Sequence, residues 1–113
     1  MGGAFEESVE FRMREVLDEA GAVRLILGGE LDLAVARRLE ERLRMLRDEG
    51  YSVRLDLTEL DFIDSSGLRA LIAAVSEARS DGWRLEIDPQ LTATVRRTVE
   101  ISGLRARLWP DDG

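Results

Sequence analysis

Two adjacent serines, Ser65 and Ser66, provide hydroxyl groups that could accept a regulatory phosphate. They follow a strand-like segment at 53–57 and precede an apolar stripe with helical spacing, formed by Leu68, Leu71, Ile72 and Val75. Such a junction would hold a serine at the surface on a rigid mount, where a phosphate would add a charge of about −1.5 to −2. The residues alone therefore suggest a switch site here.

The residue inventory limits what these hydroxyls can do by themselves. The chain contains no His, no Cys and no Lys, and all sixteen of its basic residues are Arg. This excludes His and Cys zinc sites, Ser-His-Asp and Cys-His nucleophile systems, and Schiff-base chemistry. A carboxylate-based enzyme using Asp32, Asp61 and Asp64 stays open as a minor alternative. We expect a protein that is not an enzyme, has no metal and no cofactor, and offers Ser65 as a substrate.

Length and charge restrict the partner class. The 113 residues suit one domain, and 44% hydrophobic with 35% charged residues predicts a real core under a solvated surface. A net charge of −7 argues against nucleic acid and against anionic membranes. No apolar run approaches the roughly 18 residues that cross a bilayer, and the N-terminus lacks the pattern of a signal peptide. We expect a cytoplasmic protein that binds another protein.

Hydrophobic periodicity predicts alternating strands and helices. Strands are predicted at 9–16, 23–27, 53–57 and 83–87. Helices are predicted from an Asp32 N-cap to about Glu49, from about Ser66 to Arg79, and after Asp88-Pro89 with Leu91, Val95 and Val99 on one face. Residues 104–109 are predicted to add a short strand or an extended tail.

This order predicts an α/β fold with a single domain. Its sheet should be mostly parallel and four- to five-stranded, with an antiparallel N-terminal edge strand and flanking helices. The loops at 28–32 and 61–67 both follow the carboxyl ends of strands, where functional groups tend to gather in such sheets. We expect these two loops to lie side by side.

Helix capping is the main structural alternative for the polar residues of this junction. Spacing alone favours Ser65 or Ser66 as the N-cap of the following helix, with Asp64 as an alternative cap. Ser66 and Gly67 also fit a structural role, because small residues let the chain enter the helix closely. Arg69, on the exposed side of the helix, could meet an acidic partner, although a solvated arginine is the commoner case.

Three motifs in order resemble the STAS domain of bacterial anti-sigma-factor antagonists. The motifs are Gly29-Glu30-Leu31-Asp32, then Phe62-Ile63-Asp64-Ser65-Ser66-Gly67-Leu68 after a Leu-Asp-Leu strand, and finally Ile101-Ser102-Gly103-Leu104. The resemblance covers residues 9–109 and implies a STAS domain there, with residues 1–8 and 110–113 as flexible termini.

The resemblance implies a role in partner switching. In this family the first serine of the pair, Ser65 here, is phosphorylated by a serine kinase that is also the anti-sigma factor. The unphosphorylated form binds that kinase and frees a sigma factor, and a serine phosphatase resets the phosphorylated form. We expect the partner-binding residues to be Asp32, Asp64, Ser66, Gly67 and Arg69. The alternative is a non-catalytic STAS adaptor subunit of a lipid-transport ABC complex or another signalling assembly.

Overall fold

The computed structural model describes residues 5–7 and 10–111. In chain order its elements are β1 (Phe5–Glu7), β2 (Phe11–Leu17), β3 (Val23–Leu31), α1 (Leu33–Asp48), β4 (Val53–Ile63), α2 (Ser65–Asp81), β5 (Leu85–Leu91), α3 (Ala93–Ser102) and α4 (Arg105–Leu108). Within these residues no helix is both long and apolar enough to span a membrane.

The strands form one mixed sheet in the order β1-β2-β3-β4-β5. Strand β2 is antiparallel to both of its neighbours, whereas β3, β4 and β5 are parallel to one another. The predicted α/β fold class is therefore confirmed. The structure adds the short strand β1 outside β2, where the sequence predicted a flexible terminus. Residues 1–4, 8, 9, 112 and 113 lie outside the described residues; the flexible termini stay a prediction for 1–4, 8, 112 and 113, as does the predicted strand start for residue 9.

One face of the sheet carries the core. Alternate strand residues meet the apolar stripes of all four helices in a single buried cluster, which includes Phe11, Leu25, Leu55, Leu39, Leu71, Val95, Val99 and Leu108. Each side chain of this size contributes about 1.5–3 kcal/mol when it is fully buried. The core therefore fixes the starts of the helices relative to the ends of the strands.

The other face of the sheet carries ion pairs. The Arg24 guanidinium lies 3.0 Å from the Asp56 carboxylate and 2.7 Å from that of Asp88, and Arg54 contacts the second oxygen of Asp88 at 2.7 Å. Hydrogen bonds to Asp88 and Asp56 raise the pKa of Arg24, against the opposing effect of burial. These ion pairs neutralise charged side chains in the middle of the sheet face that lies opposite the apolar core.

The predicted start of the third helix was wrong. Asp88 and Pro89 lie inside β5, and α3 begins only at Ala93 after an N-cap at Thr92. The Asp88 carboxylate accepts hydrogen bonds from Arg24 of β3 and Arg54 of β4, so it caps no helix. Pro89 is tolerated because it lies between Ile87 and Leu91 of the edge strand β5, where the register with β4 shifts and Pro89 pairs with no residue of β4. Residues 105–108 form a short helix where a strand or a tail was predicted.

Strand β4 is longer than predicted and continues from Leu57 to Ile63. Two register shifts against β3 occur here, one between its pairs with Ile26 and Gly28 and one between its pairs with Gly29 and Glu30. Each shift leaves one extra residue on β4, which is the geometry of a β-bulge. Bulges break the period-two alternation, so this half of the strand looked like a loop in the sequence.

Candidate functional site

Helix α2 begins immediately after β4, and Asp64 caps it. The Asp64 side chain accepts a hydrogen bond from the backbone N–H of Gly67 at 2.8 Å, and its backbone carbonyl accepts from Leu68 at 2.9 Å. Asp64 has extended backbone angles, while Ser65 is already the first helical residue. The sequence left the cap open among three residues, and the structure assigns it to Asp64.

The Ser65 side chain is consequently released from capping. Ser65 is exposed, and its hydroxyl makes no hydrogen bond within the part of the chain that the structure describes. Ser66 is half-buried beside it. A serine in this position can be reached by another protein without breaking an internal contact.

The end of β3 lies against the start of α2. The parallel register pairs Leu31 with Ile63, and the backbone N–H of Asp64 donates to the Leu31 carbonyl at 3.2 Å. Asp32 follows directly and caps α1 through a hydrogen bond from the Ala34 N–H at 3.0 Å. The segments 28–32 and 61–67 therefore lie side by side, as expected, but they are not loops: β3 continues to Leu31, β4 to Ile63, and α2 begins at Ser65. Asp32 and Asp64 follow the ends of adjacent parallel strands.

Gly67 makes this close approach possible. It is buried, and a β-carbon at this position would collide with the Leu31 carbonyl oxygen and crowd the side chains of Leu31 and Ile63. Gly67 therefore positions the exposed Ser65 and offers little surface of its own. The sequence predicted a structural role for Gly67, and the resemblance predicted a partner-binding role. Its burial favours the structural role.

A third helix start lies at the same edge of the sheet. The Thr92 hydroxyl donates to the Leu60 carbonyl at 2.8 Å and accepts from the Val95 N–H at 3.4 Å, so it joins the start of α3 to β4. Sequence reasoning missed Thr92 because Asp88-Pro89 gave a stronger-looking helix start. The signal was present, since a threonine three residues before the first buried residue of the α3 stripe, Val95, is a common N-cap spacing.

Two exposed apolar side chains lie at the same edge of the sheet as Ser65. Leu33, the first residue of α1, is 73% exposed, and Phe62 on β4 is 41% exposed. Strand pairing sets Phe62 opposite Glu30. Leu33 was not singled out from the sequence, although it is out of phase with the buried α1 stripe that begins at Val35. With the exposed Arg69 one turn into α2, these side chains give the edge a mixed apolar and charged surface.

The carboxylates of this edge do not form a metal site. Among the described residues, no group of three Asp or Glu side chains comes close enough to hold an ion. Asp64 already accepts a backbone hydrogen bond, and Asp32 does the same on α1. The arrangement is an edge of the sheet where an exposed serine lies next to a carboxylate that is engaged in helix capping.

Comparison with known proteins adds a family to this geometry. The model of the family described as "Mlab, STAS domain" matches residues 16–110. Anti-sigma-F factor antagonist RsfB of Mycobacterium tuberculosis is 32% identical over 90 residues, which cover 79% of this chain and 72% of that protein.

Two solved structures of the antagonist SpoIIAA share the fold. The unphosphorylated form is 22% identical and superposes with a TM-score of 0.65 over 81% of each chain. The phosphorylated form, from Bacillus, is 21% identical with a TM-score of 0.60, covering 82% of this chain and 85% of that one.

Proposed function

Because this chain belongs to the STAS-domain family of anti-sigma-factor antagonists, we propose that it is a partner-switching regulator controlled by phosphorylation of Ser65. Relatives named as antagonists support the general role, and the fold that the chain shares with SpoIIAA fits it. In this proposal the unphosphorylated chain binds an anti-sigma factor that is also a serine kinase, and a sigma factor is thereby released.

The proposal rests on one observation: Asp64, and not Ser65, caps helix α2. Asp64 caps α2, so Ser65 is exposed and makes no hydrogen bond within the described residues. Removal or modification of the hydroxyl would therefore leave the helix start in place. A covalent signal at Ser65 can change the surface while the fold stays intact.

The phosphoryl transfer needs no catalytic group from this chain. The Ser65 Oγ would form a bond to the γ-phosphorus of ATP as the bond from that phosphorus to the β–γ bridging oxygen breaks and ADP leaves. The hydroxyl proton passes to a base of the kinase, because His and Lys are absent here. A serine phosphatase would return the hydroxyl by hydrolysis, releasing inorganic phosphate.

The same edge would form the partner surface. Asp32, Asp64 and Ser66 line it, and Arg69 supplies a cation, while the buried Gly67 acts through positioning. A dianionic phosphate beside the carboxylates of Asp32 and Asp64 would concentrate negative charge where the kinase docks. This repulsion would weaken binding without a change of fold. We propose that the chain works in the cytoplasm, with no cofactor, no nucleic acid and no membrane contact.

Intact mass measurement tests the proposal. The chain is incubated with ATP, Mg²⁺ and an anti-sigma serine kinase of its own organism, beside the variants Ser65→Ala and Ser66→Ala. We expect one phosphate on the wild type and on Ser66→Ala, and none on Ser65→Ala. Modification of Ser65→Ala to the wild-type extent would remove Ser65 from the mechanism.

A second candidate is a non-catalytic STAS adaptor subunit, such as that of a lipid-transport ABC complex. The description of the matching family model names Mlab and not an antagonist, which keeps this candidate in view. An adaptor would bind its complex equally well with Ser65→Ala and Ser65→Asp. A switch would bind its kinase with the first and lose it with the second.

A further inference from the structure

We propose that Arg69 is the intramolecular acceptor of the Ser65 phosphate, so that phosphorylation removes a cation from the docking surface as well as adding an anion. This inference rests on the proposed phosphorylation of Ser65 and names the residue that responds to it. It concerns two side chains of α2 that the structure leaves exposed on one helix face.

Helix geometry brings the two side chains together. Ser65 and Arg69 are four residues apart in α2, a spacing that sets their β-carbons about 5–6 Å from each other. Helical side chains lean toward the N-terminus of the helix, so Arg69 covers the turn that contains Ser65. A phosphate on the serine then lies within reach of the guanidinium, which can bind two phosphate oxygens at once.

Arg69 is available for this role. It forms no ion pair within the described residues, whereas Arg79, the other arginine of α2, pairs with Asp111 at 3.0 Å near the far end of the helix. Arg24 and Arg54 are likewise committed to the ion pairs of the sheet. A phosphate at position 65 thus finds an uncommitted cation one turn away.

The Asp64 cap already uses part of the helix start. The Asp64 carboxylate accepts from the Gly67 N–H, and the Asp64 carbonyl accepts from Leu68, so these two amides of the helix start are already used. The Asp64 carboxylate also repels a phosphate placed directly over the helix end. The exposed Arg69 guanidinium, one turn along α2, supplies the positive charge that the helix start next to this carboxylate lacks.

Capture of Arg69 would change what the partner meets. Before phosphorylation the exposed guanidinium is free to pair with an acidic group of the kinase. Afterwards it is held by a phosphate of the same chain, and a partner that needs it loses that contact. Release of the kinase would then have two causes: repulsion by the negative phosphate, and loss of the contact between the kinase and the Arg69 guanidinium.

The second pKa of the phosphoserine tests the contact between the phosphate and Arg69, because a nearby cation stabilises the dianion and lowers this pKa. Phosphoserine is incorporated at position 65 during translation, so neither kinase nor partner is needed, and its phosphorus-31 resonance is titrated in wild type, Arg69→Gln and Arg84→Gln. Arg84 is an exposed control with the same charge change, located at the opposite edge of the sheet, where its carbonyl accepts from Val53. The carboxylates near this edge, Asp32, Asp61 and Asp64, are unchanged in all three proteins, so any effect they have on the phosphate cancels in the comparison.

We expect Arg69→Gln to raise this pKa by about 0.2–0.4 unit, as an i,i+4 ion pair of typical strength would require, and Arg84→Gln to leave it unchanged. Equal pKa values in wild type and Arg69→Gln would overturn the inference, as would an equal rise in Arg84→Gln. A separate binding assay with the anti-sigma kinase reads the proposed function. If Arg69→Gln changes the phosphoserine pKa but the chain does not bind the kinase, the proposed function is wrong and the contact between Arg69 and the phosphate is supported. If phosphorylation abolishes kinase binding but Arg69→Gln leaves the pKa unchanged, the proposed function is supported and the Arg69 contact is wrong.

Discussion

The carbonyl of Leu31 at the end of β3 lies directly against Gly67 in the first turn of α2, and no β-carbon fits between them. The same carbonyl accepts the backbone N–H of Asp64. One backbone oxygen thus fixes both the cap and the third residue of the helix that carries Ser65. The exposed serine is therefore positioned by backbone packing that does not involve its hydroxyl.

Gly67→Ala should therefore disturb the position of Ser65. Forcing a methyl group into this contact is expected to cost about 1–3 kcal/mol of unfolding free energy, measured by urea denaturation. Kinase-dependent phosphorylation of Ser65 should fall with it. Gly50→Ala is the control, because Gly50 has a left-handed φ of +88° but open space around it. Its strain should lower stability and leave phosphorylation unchanged. Wild-type stability of Gly67→Ala would contradict the packing argument.

Ser65→Ala and Asp64→Ala should separate the switch from the cap. The Ser65 hydroxyl makes no hydrogen bond within the described residues, so its removal should change unfolding free energy by less than about 0.5 kcal/mol. Loss of the Asp64 cap should cost about 1 kcal/mol, or roughly 4 °C in melting temperature for a domain of this size. Thermal denaturation of both variants decides, and an equal loss in Ser65→Ala would return the capping role to the serine.

The sequence predicted the elements best where one period held throughout. The α1 stripe of Val35, Leu39, Leu43 and Leu46 is buried in the structure as predicted, and the fold class follows from the alternation of strands and helices. The second half of β4 escaped prediction because two bulges break its alternation. A bulge depends on pairing with a neighbouring strand, and local sequence carries little trace of it.

The sequence predicted that an N-cap lies at this junction, but it could not predict which residue is the cap. Asp64, Ser65 and Ser66 are all good N-cap residues, so local chemistry could not decide which one caps α2. The choice was made by the Leu31 carbonyl, which comes from a distant part of the chain and orders the Asp64 backbone. The same reason explains the error at Asp88, whose carboxylate is used by arginines of two other strands.

Asp56 should make stability depend on pH in the acid range. Burial acts to raise the pKa of Asp56, but hydrogen bonds from Thr58 and Arg24 outweigh it and lower the pKa below its ordinary value of 3.8. A carboxylate with a lowered pKa in the folded state stabilises the fold above its unfolded pKa, and this contribution is lost as the pH falls through the folded value.

Urea midpoints of wild type and Asp56→Asn between pH 3 and pH 7 test this dependence. The wild type should be the more stable protein near neutral pH, and the difference should shrink below about pH 4 as Asp56 becomes protonated. Asp48→Asn, an exposed position at the end of α1, is the control and should show a smaller change with pH. A constant difference between wild type and Asp56→Asn would show that the ion pair does not set the acid limb.

Leu33 should be a contact for the anti-sigma partner, because it is 73% exposed beside the Asp32 cap at the edge that carries Ser65. Leu33→Glu should weaken binding to the kinase at least about tenfold, as expected when a buried apolar anchor is lost from an interface. Met45→Glu is a matched control, since Met45 is 53% exposed near the far end of the same helix and the charge change is identical. Both variants should fold with nearly wild-type stability, and titration calorimetry of the unphosphorylated proteins compares their affinities. Because net charge changes equally in both, an equal loss of affinity would indicate long-range repulsion and would remove Leu33 from the interface.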